Sequence, residues 1–240
     1  MIPKPPMTTM PAHPSNTWSR YDTKFEFIVM HYVGEVSTAR NNGQYYGSTP
    51  NIGASAHFFV DEREIVASVP LTMAAGHCGV DYSGGKAPFW NGKGAYSTNR
   101  RSIGIEMCCK KDKNGAWYIE PKTVERTIPL VKWLMQEYNI PLDRVIRHFD
   151  VCWKTCPAPW VLDEKQWYDF KKRLVQPDEQ EDEDMQRFKT VAELPAWARE
   201  DIQKLIDLGH LEGKGGDLGL DLTEDMARTL IVCGRMQGVL

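Results

Sequence analysis

Apolar residues are concentrated in short stretches whose pattern indicates β-strands. Residues 25–30 are dense in β-branched and aromatic side chains, which predicts a buried strand that places His31 at its end. Residues 56–60 and 65–69 flank a charged turn and together predict a hairpin. The first half of the chain is therefore expected to contribute at least three strands to a sheet.

A further strand is predicted at residues 102–107, where apolar and polar positions alternate with a period of two. The face of this strand that is expected to be apolar carries Ile103, Ile105 and Met107. Glu106 and Gly104 fall on the opposite face, so the alternation leaves a carboxylate on the side away from the core.

Two later segments have helical spacing of their apolar residues. The first is residues 124–138, where Pro129 should either kink the helix or move its start. The second is residues 164–175, which we expect to be the last helix of this domain. Residues 41–53 and 76–101 are rich in turn-forming residues and are predicted to be loops. Strands and helices interleave, which predicts an α/β fold with a mixed central sheet flanked by helices.

Changes in composition divide the chain into four parts. Residues 1–22 are rich in proline, serine and threonine and predict an irregular N-terminal arm, followed by a catalytic domain at residues 23–176. The acidic run after Pro177 predicts a solvated linker at residues 177–186. Residues 187–240 are expected to form a small α-helical module.

Within that module the sequence predicts two short helices. The first is amphipathic and should end at Gly209, and Thr223 is a suitable N-cap for the second. The connection is the glycine-rich loop at residues 213–219. A core of this size is marginal by itself, so the module should bind the catalytic domain, a second copy or an external surface.

Composition excludes few function classes. The 240 residues are 42% hydrophobic and 25% charged, with a net charge of −3, which indicates a globular protein and suggests neither nucleic acid nor a membrane as partner. The N-terminus lacks the apolar region of a signal peptide, so we expect synthesis in the cytoplasm. In that compartment the six cysteines (Cys78, Cys108, Cys109, Cys152, Cys156 and Cys233) are expected to be thiols or metal ligands.

The most informative stretch for chemistry is residues 148–157. His148 and Cys156 lie eight positions apart in a predicted loop and can reach the same metal ion. With His31 as a third ligand they would form a zinc site with one open position, as catalytic zinc requires. Each element alone is weak, because an isolated histidine is more often a packed or surface residue.

Four motifs together resemble the zinc-dependent N-acetylmuramoyl-L-alanine amidases, the family shared by phage endolysins, bacterial autolysins and peptidoglycan recognition proteins. They are I-V-M-H-Y at residues 28–32, S-A-H-F-F-V-D at 55–61, N-R-R-S-I-G-I-E-M at 99–107 and R-H-F-D-V-x-x-K-x-C-P at 147–157. The resemblance covers residues 25–175. It implies hydrolysis of the amide bond between N-acetylmuramic acid and L-alanine in peptidoglycan.

The resemblance also implies roles for particular residues. Zn²⁺ would be bound by His31, His148 and Cys156. Glu106 matches the family's catalytic carboxylate, which takes a proton from water and returns it to the leaving nitrogen. Lys154 matches the lysine that neutralises the oxyanion. Without the family, Glu106 would be interpreted as a salt-bridged carboxylate on a solvent face and Lys154 as a solvated lysine.

Other site residues are predicted with alternatives. Asp150 either accepts the second imidazole N–H of His148 or caps a turn. His57 and His77 are expected to line the substrate cleft, although His57 is equally consistent with a core histidine. Two positions depart from the family pattern: Ala56 stands where some members carry a catalytic tyrosine, and Gly76 replaces a usual tryptophan.

The biological setting follows from the same resemblance. We expect a phage or prophage endolysin that acts on the bacterial cell wall after release, with a host autolysin or a cytosolic recycling amidase as alternatives. The C-terminal module weakly resembles an S-layer-homology-type helix–loop–helix, which predicts wall attachment, with a homodimer as the alternative. A peptidoglycan-binding protein without catalysis is disfavoured because Cys156, which zinc-less members of the family typically lose, is present.

Overall fold

A computed structural model of the chain describes residues 2–21, 24–79, 81–89, 95–176, 186–211 and 219–240. The chain divides into two compact units after Gln176. The predicted acidic linker, apart from Gln186, and the predicted glycine-rich loop, apart from Gly219, lie outside the described residues. Among the described residues, no helix combines the length and the apolar character that crossing a membrane requires.

The described part of the first unit contains nine strands and six α-helices. The strands are β1 (Thr8–Thr9), β2 (Thr17–Ser19), β3 (Phe27–Val36), β4 (Phe58–Val60), β5 (Ile65–Ala67), β6 (Met73–Ala75), β7 (Ser102–Lys111), β8 (Trp117–Tyr118) and β9 (Val145–Arg147). The helices are α1 (Ala39–Ser48), α2 (Ala95–Arg101), α3 (Pro121–Glu137), α4 (His148–Cys152), α5 (Ala158–Leu162) and α6 (Glu164–Val175).

Seven strands form one mixed sheet in the order β1-β5-β4-β7-β3-β9, with β8 paired to β7 at its far end. β3 and β4 flank β7 in parallel, β9 is parallel to β3, and β5 is antiparallel to β4 as the hairpin pattern predicted. β2 and β6 form a separate two-stranded antiparallel ribbon. The predicted α/β class with a mixed central sheet is confirmed.

One face of the sheet carries the main hydrophobic core. The apolar positions of the predicted alternation in β7, Ile103, Ile105 and Met107, have no exposed surface. They pack with apolar side chains of α3 and α6, among them Leu130, Leu134, Phe170 and Leu174. Burying side chains of this size stabilises the fold by about 1.5–3 kcal/mol each. The period-two pattern thus identified the core face of the central strand.

β3 is longer than the sequence predicted. The strand continues past His31 to Val36, so His31 lies in its middle and the predicted strand end is wrong. His31 pairs in register with Glu106 on β7, and the register shifts only between Tyr32 and Val36. Pairing with a long parallel neighbour therefore extends the strand beyond its apolar residues and holds His31 in the body of the sheet.

The predicted loop at residues 41–53 contains most of helix α1, so that prediction is wrong. Thr38 caps the helix by accepting a hydrogen bond from the backbone N–H of Asn41 (3.1 Å). Asp61 of the hairpin turn accepts the N–H of Ala39 at 2.7 Å. Tyr46 stacks on Phe59, with ring centroids 5.2 Å apart. Capping and tertiary packing outweigh the low helix propensity of the asparagines and glycines.

Two further loop and arm predictions also need correction. Helix α2 occupies the end of the predicted loop at residues 76–101. The N-terminal arm contributes β1, which pairs with β5, and β2, which pairs with β6. α3 begins at Pro121 and runs to Glu137. Pro129 therefore lies inside the helix, without interrupting it or marking its start. α6 has the predicted bounds of residues 164–175.

The second unit contains helices α7 (Ala196–Asp207) and α8 (Glu224–Met236) in its described residues. Thr223 accepts a hydrogen bond from the N–H of Met226 at 3.2 Å and caps α8 as predicted. Gly209 adopts a φ of +71° just after α7, the left-handed conformation that ends many helices. The core of the unit is centred on Leu194, Ala198 and Ile202, none of which is exposed.

Candidate metal centre and active site

The register of three parallel strands builds the floor of the site. His31 on β3 is paired with Glu106 on β7, which is paired in turn with Phe59 on β4. All three side chains lie on the sheet face opposite to the main core, because their neighbours along each strand point into that core. The Nδ1 atom of His31 is 4.0 Å from Oε1 of Glu106.

The segment after β9 brings a second histidine and a cysteine to the same place. α4 begins at His148, directly after the strand, and Asp150 in its first turn accepts the backbone N–H of Arg147 at 2.8 Å. Trp153 ends the helix in a left-handed conformation, with φ at 60°. The N–H of Phe149 then donates to the carbonyl of Cys156 at 2.9 Å, which folds the segment back on itself.

His31, His148 and Cys156 form a compact set of metal-binding atoms. One nitrogen of each histidine and the sulfur of the cysteine all lie within 4.8 Å of one another. Nδ1 of His31 is 3.7 Å from the Cys156 sulfur, and the two imidazole rings are 4.7 Å apart at an angle of 65°. All three side chains are buried, so no solvent shell competes for these atoms.

The donor set fits a zinc ion. Neither ring nitrogen of His148 has a hydrogen-bond partner among the described residues, although both atoms are buried. Unpaired buried polar atoms are costly and rare, and a bound metal ion would account for one of these two nitrogens. Imidazole nitrogens and thiolates are the ligands that zinc prefers, and a set of three protein ligands leaves the fourth position open for water or substrate.

The electrostatics of the site favour the form of histidine that binds metal. Burial lowers the pKa of His148 to about 3, and the nearby charge of Lys154 acts in the same direction. Burial also holds the pKa of His31 well below its ordinary value, with smaller effects of His148 and His77. Both imidazoles are therefore neutral at pH 7. Burial raises the pKa of the Cys156 thiol, so a bound cation is needed to stabilise its thiolate.

Glu106 is the only acidic side chain lining the cavity above these atoms, as far as the described residues show. The cavity measures about 280 Å³, and its walls include Tyr46, Lys154 and Thr155 besides two of the candidate ligands, His31 and Cys156. Burial raises the pKa of Glu106 to about 8, and Lys154 acts in the opposite direction. Oε2 of Glu106 has no hydrogen-bond partner among the described residues. The carboxylate is therefore free to exchange a proton with a molecule in the cavity.

The sequence profile of the N-acetylmuramoyl-L-alanine amidase family matches residues 21–159. The match covers more than half of the chain and includes the strands and loops that carry the site. The chain belongs to this amidase family.

Curated amidases and solved structures agree with the family match. BlyA of Bacillus subtilis strain 168, an N-acetylmuramoyl-L-alanine amidase, is 33% identical over 168 residues, which are 67% of this chain and 45% of BlyA. The structure of PlyL is 26% identical with a TM-score of 0.56 and covers 72% of this chain and 99% of that chain. The catalytic domain of XlyA is 27% identical with a TM-score of 0.55, covering 71% and 99%. This chain thus spans less than half the length of BlyA and nearly all of these two solved structures.

Two site residues predicted from the sequence have other surroundings in the amidase fold. His57 is completely buried and does not line the cavity: its Nδ1 accepts the N–H of Gly104 (3.0 Å), and its Nε2 lies 3.2 Å from the carbonyl of Met73. This placement favours the core histidine over the cleft residue. Asp150 makes no contact with the His148 ring but bonds to the backbone and guanidinium of Arg147. Of the two predicted roles of Asp150, capping a turn is the one that the structure shows, and the predicted hydrogen bond to His148 is wrong.

His77 and Lys154 do line the cavity of the amidase domain. Lys154 is exposed at its rim, next to Cys156. His77 is buried, and its Nδ1 is 2.9 Å from Nε2 of His31. With Cys78 and His31 it forms a second set of close metal-binding atoms that shares His31 with the first.

Two cavity features escaped the sequence analysis. Tyr46 lines the cavity from α1, and burial together with the charge of Glu106 raises its pKa to about 12. The prediction of a loop at residues 41–53 offered no reason to place the phenol of Tyr46 in the cavity. The second feature is Trp18, whose ring packs so closely on Gly76 at the cavity wall that a Cβ atom on this glycine would come within 2.6 Å of it. Trp18 of the N-terminal arm therefore fills space beside Gly76, where the family usually has a tryptophan.

Proposed function

We propose that the chain is a zinc-dependent hydrolase that cuts the amide bond between N-acetylmuramic acid and L-alanine in bacterial peptidoglycan. The observation that carries this proposal is the convergence of His31, His148 and Cys156 beneath a cavity that Glu106 and Lys154 line. The family membership supplies the substrate class, because its curated members are N-acetylmuramoyl-L-alanine amidases.

Zn²⁺ would be held by His31, His148 and Cys156. When bound, zinc supplies Lewis acidity and lowers the pKa of a coordinated water to about 7. The protein contributes three buried ligands. Because the lowered pKa values keep both imidazoles neutral at pH 7, protons do not compete with the metal ion for the ligating nitrogens. The cavity lies on the sheet face opposite to the main core, and His31, Cys156 and Glu106 line it.

Glu106 is proposed as the proton carrier. Its carboxylate takes a proton from the attacking water and returns it to the nitrogen of the L-alanine that leaves. An acid–base group works best when its pKa lies near the working pH, and burial moves Glu106 in that direction. The positive charge of a bound zinc ion would lower the pKa of Glu106 and keep its carboxylate deprotonated at neutral pH.

Lys154 is proposed to stabilise the negative charge that develops on the carbonyl oxygen. Lys154 lines the cavity together with Cys156 and Glu106, and its flexible side chain could reach a substrate bound there. Electrostatic stabilisation by a fixed cation commonly contributes more to catalysis than any other single effect. Lys154 is exposed, so ordering of this side chain on substrate binding is part of the proposal.

The reaction is tested by digesting purified peptidoglycan with the full chain and identifying the new ends by mass spectrometry. An amidase releases peptides with a free L-alanine amine and leaves the lactyl carboxylate on the glycan. New reducing ends would instead indicate a glycosidase, and new amines within the peptide an endopeptidase. Removing zinc with a chelator should abolish the release of ends, and adding zinc back should restore it.

The two units are proposed to divide the work between catalysis and attachment to the cell wall, in a phage or prophage endolysin. The first unit contains every candidate catalytic residue, whereas the second presents Trp197, Val232 and Met236 on its surface. A chain that ends at Val175 should keep its zinc and cleave soluble muropeptides like the full chain. Tethering raises the local enzyme concentration, so the shortened chain should bind and lyse intact walls less well.

Wall pull-down and light scattering on both chains test this division. If the second unit makes a homodimer instead, the full chain has the mass of two chains in solution and the shortened chain has the mass of one. A full chain with the mass of one chain, together with wall binding that shortening leaves unchanged, would contradict both roles.

A further inference from the structure

The ring nitrogen of His31 that faces away from the candidate metal ligands begins a chain of hydrogen bonds. Nε2 of His31 lies 2.9 Å from Nδ1 of His77, and Nε2 of His77 lies 3.2 Å from the hydroxyl of Ser102. The Ser102 hydroxyl is 2.7 Å from the backbone carbonyl of Thr98. The side chains of His31, His77 and Ser102 are all buried, so water does not interrupt this series.

The last member fixes the direction of every bond. A carbonyl oxygen can only accept, so the Ser102 hydroxyl donates its single proton to Thr98. The Ser102 oxygen must then accept from Nε2–H of His77, which leaves Nδ1 of a neutral His77 without a proton. That Nδ1 accepts from Nε2–H of His31. The remaining nitrogen of His31, Nδ1, carries the free lone pair and is the one that lies 3.7 Å from the Cys156 sulfur.

We propose that His77 is a positioning residue: through Ser102 and Thr98 it holds His31 in the tautomer and ring orientation that presents Nδ1 to the metal. The proposal rests on the proposed function for the presence of zinc, and it gives His77 a structural task in place of substrate contact. Histidine ligands usually donate their second N–H to an acceptor that sets the tautomer, and here the acceptor is another histidine.

The packing around His77 supports this role. Its ring lies so close to β7 that a Cβ atom on Gly104 would come within 2.4 Å of Cγ of His77. The Cys78 sulfur lies 3.4 Å from Nδ1 of His77, at the edge of the same ring. The ring is thus packed against Gly104 and hydrogen-bonded at both nitrogens.

The same bond direction explains the second set of close metal-binding atoms. In that set, His31, His77 and Cys78 lie together. A metal ion there would need lone pairs from both nitrogens that face each other, whereas Nε2 of His31 carries the proton of the 2.9 Å bond. The second set is therefore the supporting layer of the first set and not a site of its own.

Zinc affinity of the full chain, measured by competition with a chromophoric chelator, tests the proposal. His77→Phe keeps the volume but removes the acceptor, and loss of such a partner weakens metal binding by about 10- to 100-fold. His77→Asn, whose side-chain oxygen can replace Nδ1 as an acceptor, should recover most of the affinity. Ser102→Ala should weaken binding less than His77→Phe, because it only removes the bond that orients His77.

His57→Phe is the matched control. His57 is as buried as His77 and packs against it with ring centroids 6.0 Å apart, but its nitrogens bond to Gly104 and Met73 instead of His31. The folded fraction of this variant should bind zinc like the wild type. Equal affinity of folded His77→Phe and wild type would overturn the proposal, as would an equal loss in His57→Phe.

Proton-coupled ¹⁵N spectra of the zinc-free wild type test the bond directions without any variant, which matters if His77→Phe does not fold. Both His31 and His77 should be Nε2–H tautomers, and a protonated Nδ1 on His31 would contradict the proposal. Neither the zinc-affinity measurements nor these spectra use peptidoglycan. A protein that passes them but cleaves no wall fails only as an amidase, whereas one that cleaves walls with His31 in the other tautomer overturns only the role of His77.

Discussion

On one face of β7, Ile103, Ile105 and Met107 pack in the main hydrophobic core and have no exposed surface. On the other face, Gly104 lies against the ring of His77, and Glu106 lies 4.0 Å from His31. The two faces belong to the same ten-residue strand and alternate residue by residue. They are nevertheless specified by different physical requirements.

The core face requires volume and apolar surface, which several side chains can supply at a modest cost. The cavity face requires particular atoms at particular places. The ring nitrogens of His77 have defined partners there, whereas Oε2 of Glu106 and the nearby ring nitrogens of His148 are buried without one among the described residues. A change on the cavity face should therefore affect metal binding or catalysis before it affects stability, and a change on the core face should do the opposite.

The largest expected effect is that of a lost metal ligand. Cys156→Ser should lose nearly all of its zinc, and hydrolysis should fall by more than the 10²- to 10⁴-fold that an acid–base group contributes. Cys109→Ser is the matched control, since Cys109 is also buried but lies in the main core with the Glu35 carbonyl as its partner. Metal analysis of both variants decides the point, and retention of zinc by Cys156→Ser would exclude this ligand set.

Glu106→Gln should separate binding from chemistry. The amide has nearly the same shape and leaves the three ligands in place, so zinc content and fold should persist. It cannot accept a proton, and wall hydrolysis should fall by about 10²-fold or more. Glu35→Gln, at the exposed end of the neighbouring strand β3, should lyse walls normally. Near-normal lysis by Glu106→Gln would mean that another group carries the proton.

Buried histidines should make the zinc-free protein sensitive to acid. Burial lowers the pKa of His57 from 6.5 to about 4, with Arg20 acting in the same direction and the Met73 carbonyl against it. Between these pH values the unfolded chain binds more protons than the folded chain, so stability falls as the pH drops from about 6.5 to 4. His57 alone should account for about 3 kcal/mol of that loss.

Urea unfolding at pH 7 and at pH 4 checks this value. His57→Asn keeps an acceptor for the Gly104 N–H but does not titrate in this range, so its stability should change less between the two pH values. An identical pH dependence in both proteins would show that His57 does not titrate as its burial requires.

The apolar face of the sheet could be predicted from the sequence because period-two alternation depends only on neighbouring residues. The prediction succeeded for residues 102–107 and for the hairpin of β4 and β5. The prediction of a loop failed at α1, because its asparagines and glycines favour a loop locally. The contacts that stabilise this helix, from Asp61 and Phe59, come from a distant part of the chain.

The cavity face was predictable only where residues recur in motifs. The spacing of His148 and Cys156 and the family motifs indicated the candidate ligands, which the fold brings together. The roles of Asp150 and His57 depend on side-chain directions that no local pattern encodes. Ser102 was not predicted as a site residue, because a serine at the start of a strand is common and its contact with the ring of His77 is visible only in the structure.

The smallest expected effect compares adjacent residues on the two faces of β7. Gly104→Ala places a methyl group about where the hydrogen-bonded ring of His77 lies. Overpacking of this kind lowers the free energy of unfolding by about 1–3 kcal/mol. It should also weaken zinc binding, because the ring can yield only by releasing His31 or Ser102. Ile105→Val removes one methylene from the core, which costs about 0.5–1.5 kcal/mol and should leave zinc binding unchanged. Urea unfolding and zinc titration of both variants measure the contrast. If Gly104→Ala matched the wild type in both, the ring would be free to move, and the cavity face would be no more strictly specified than the core.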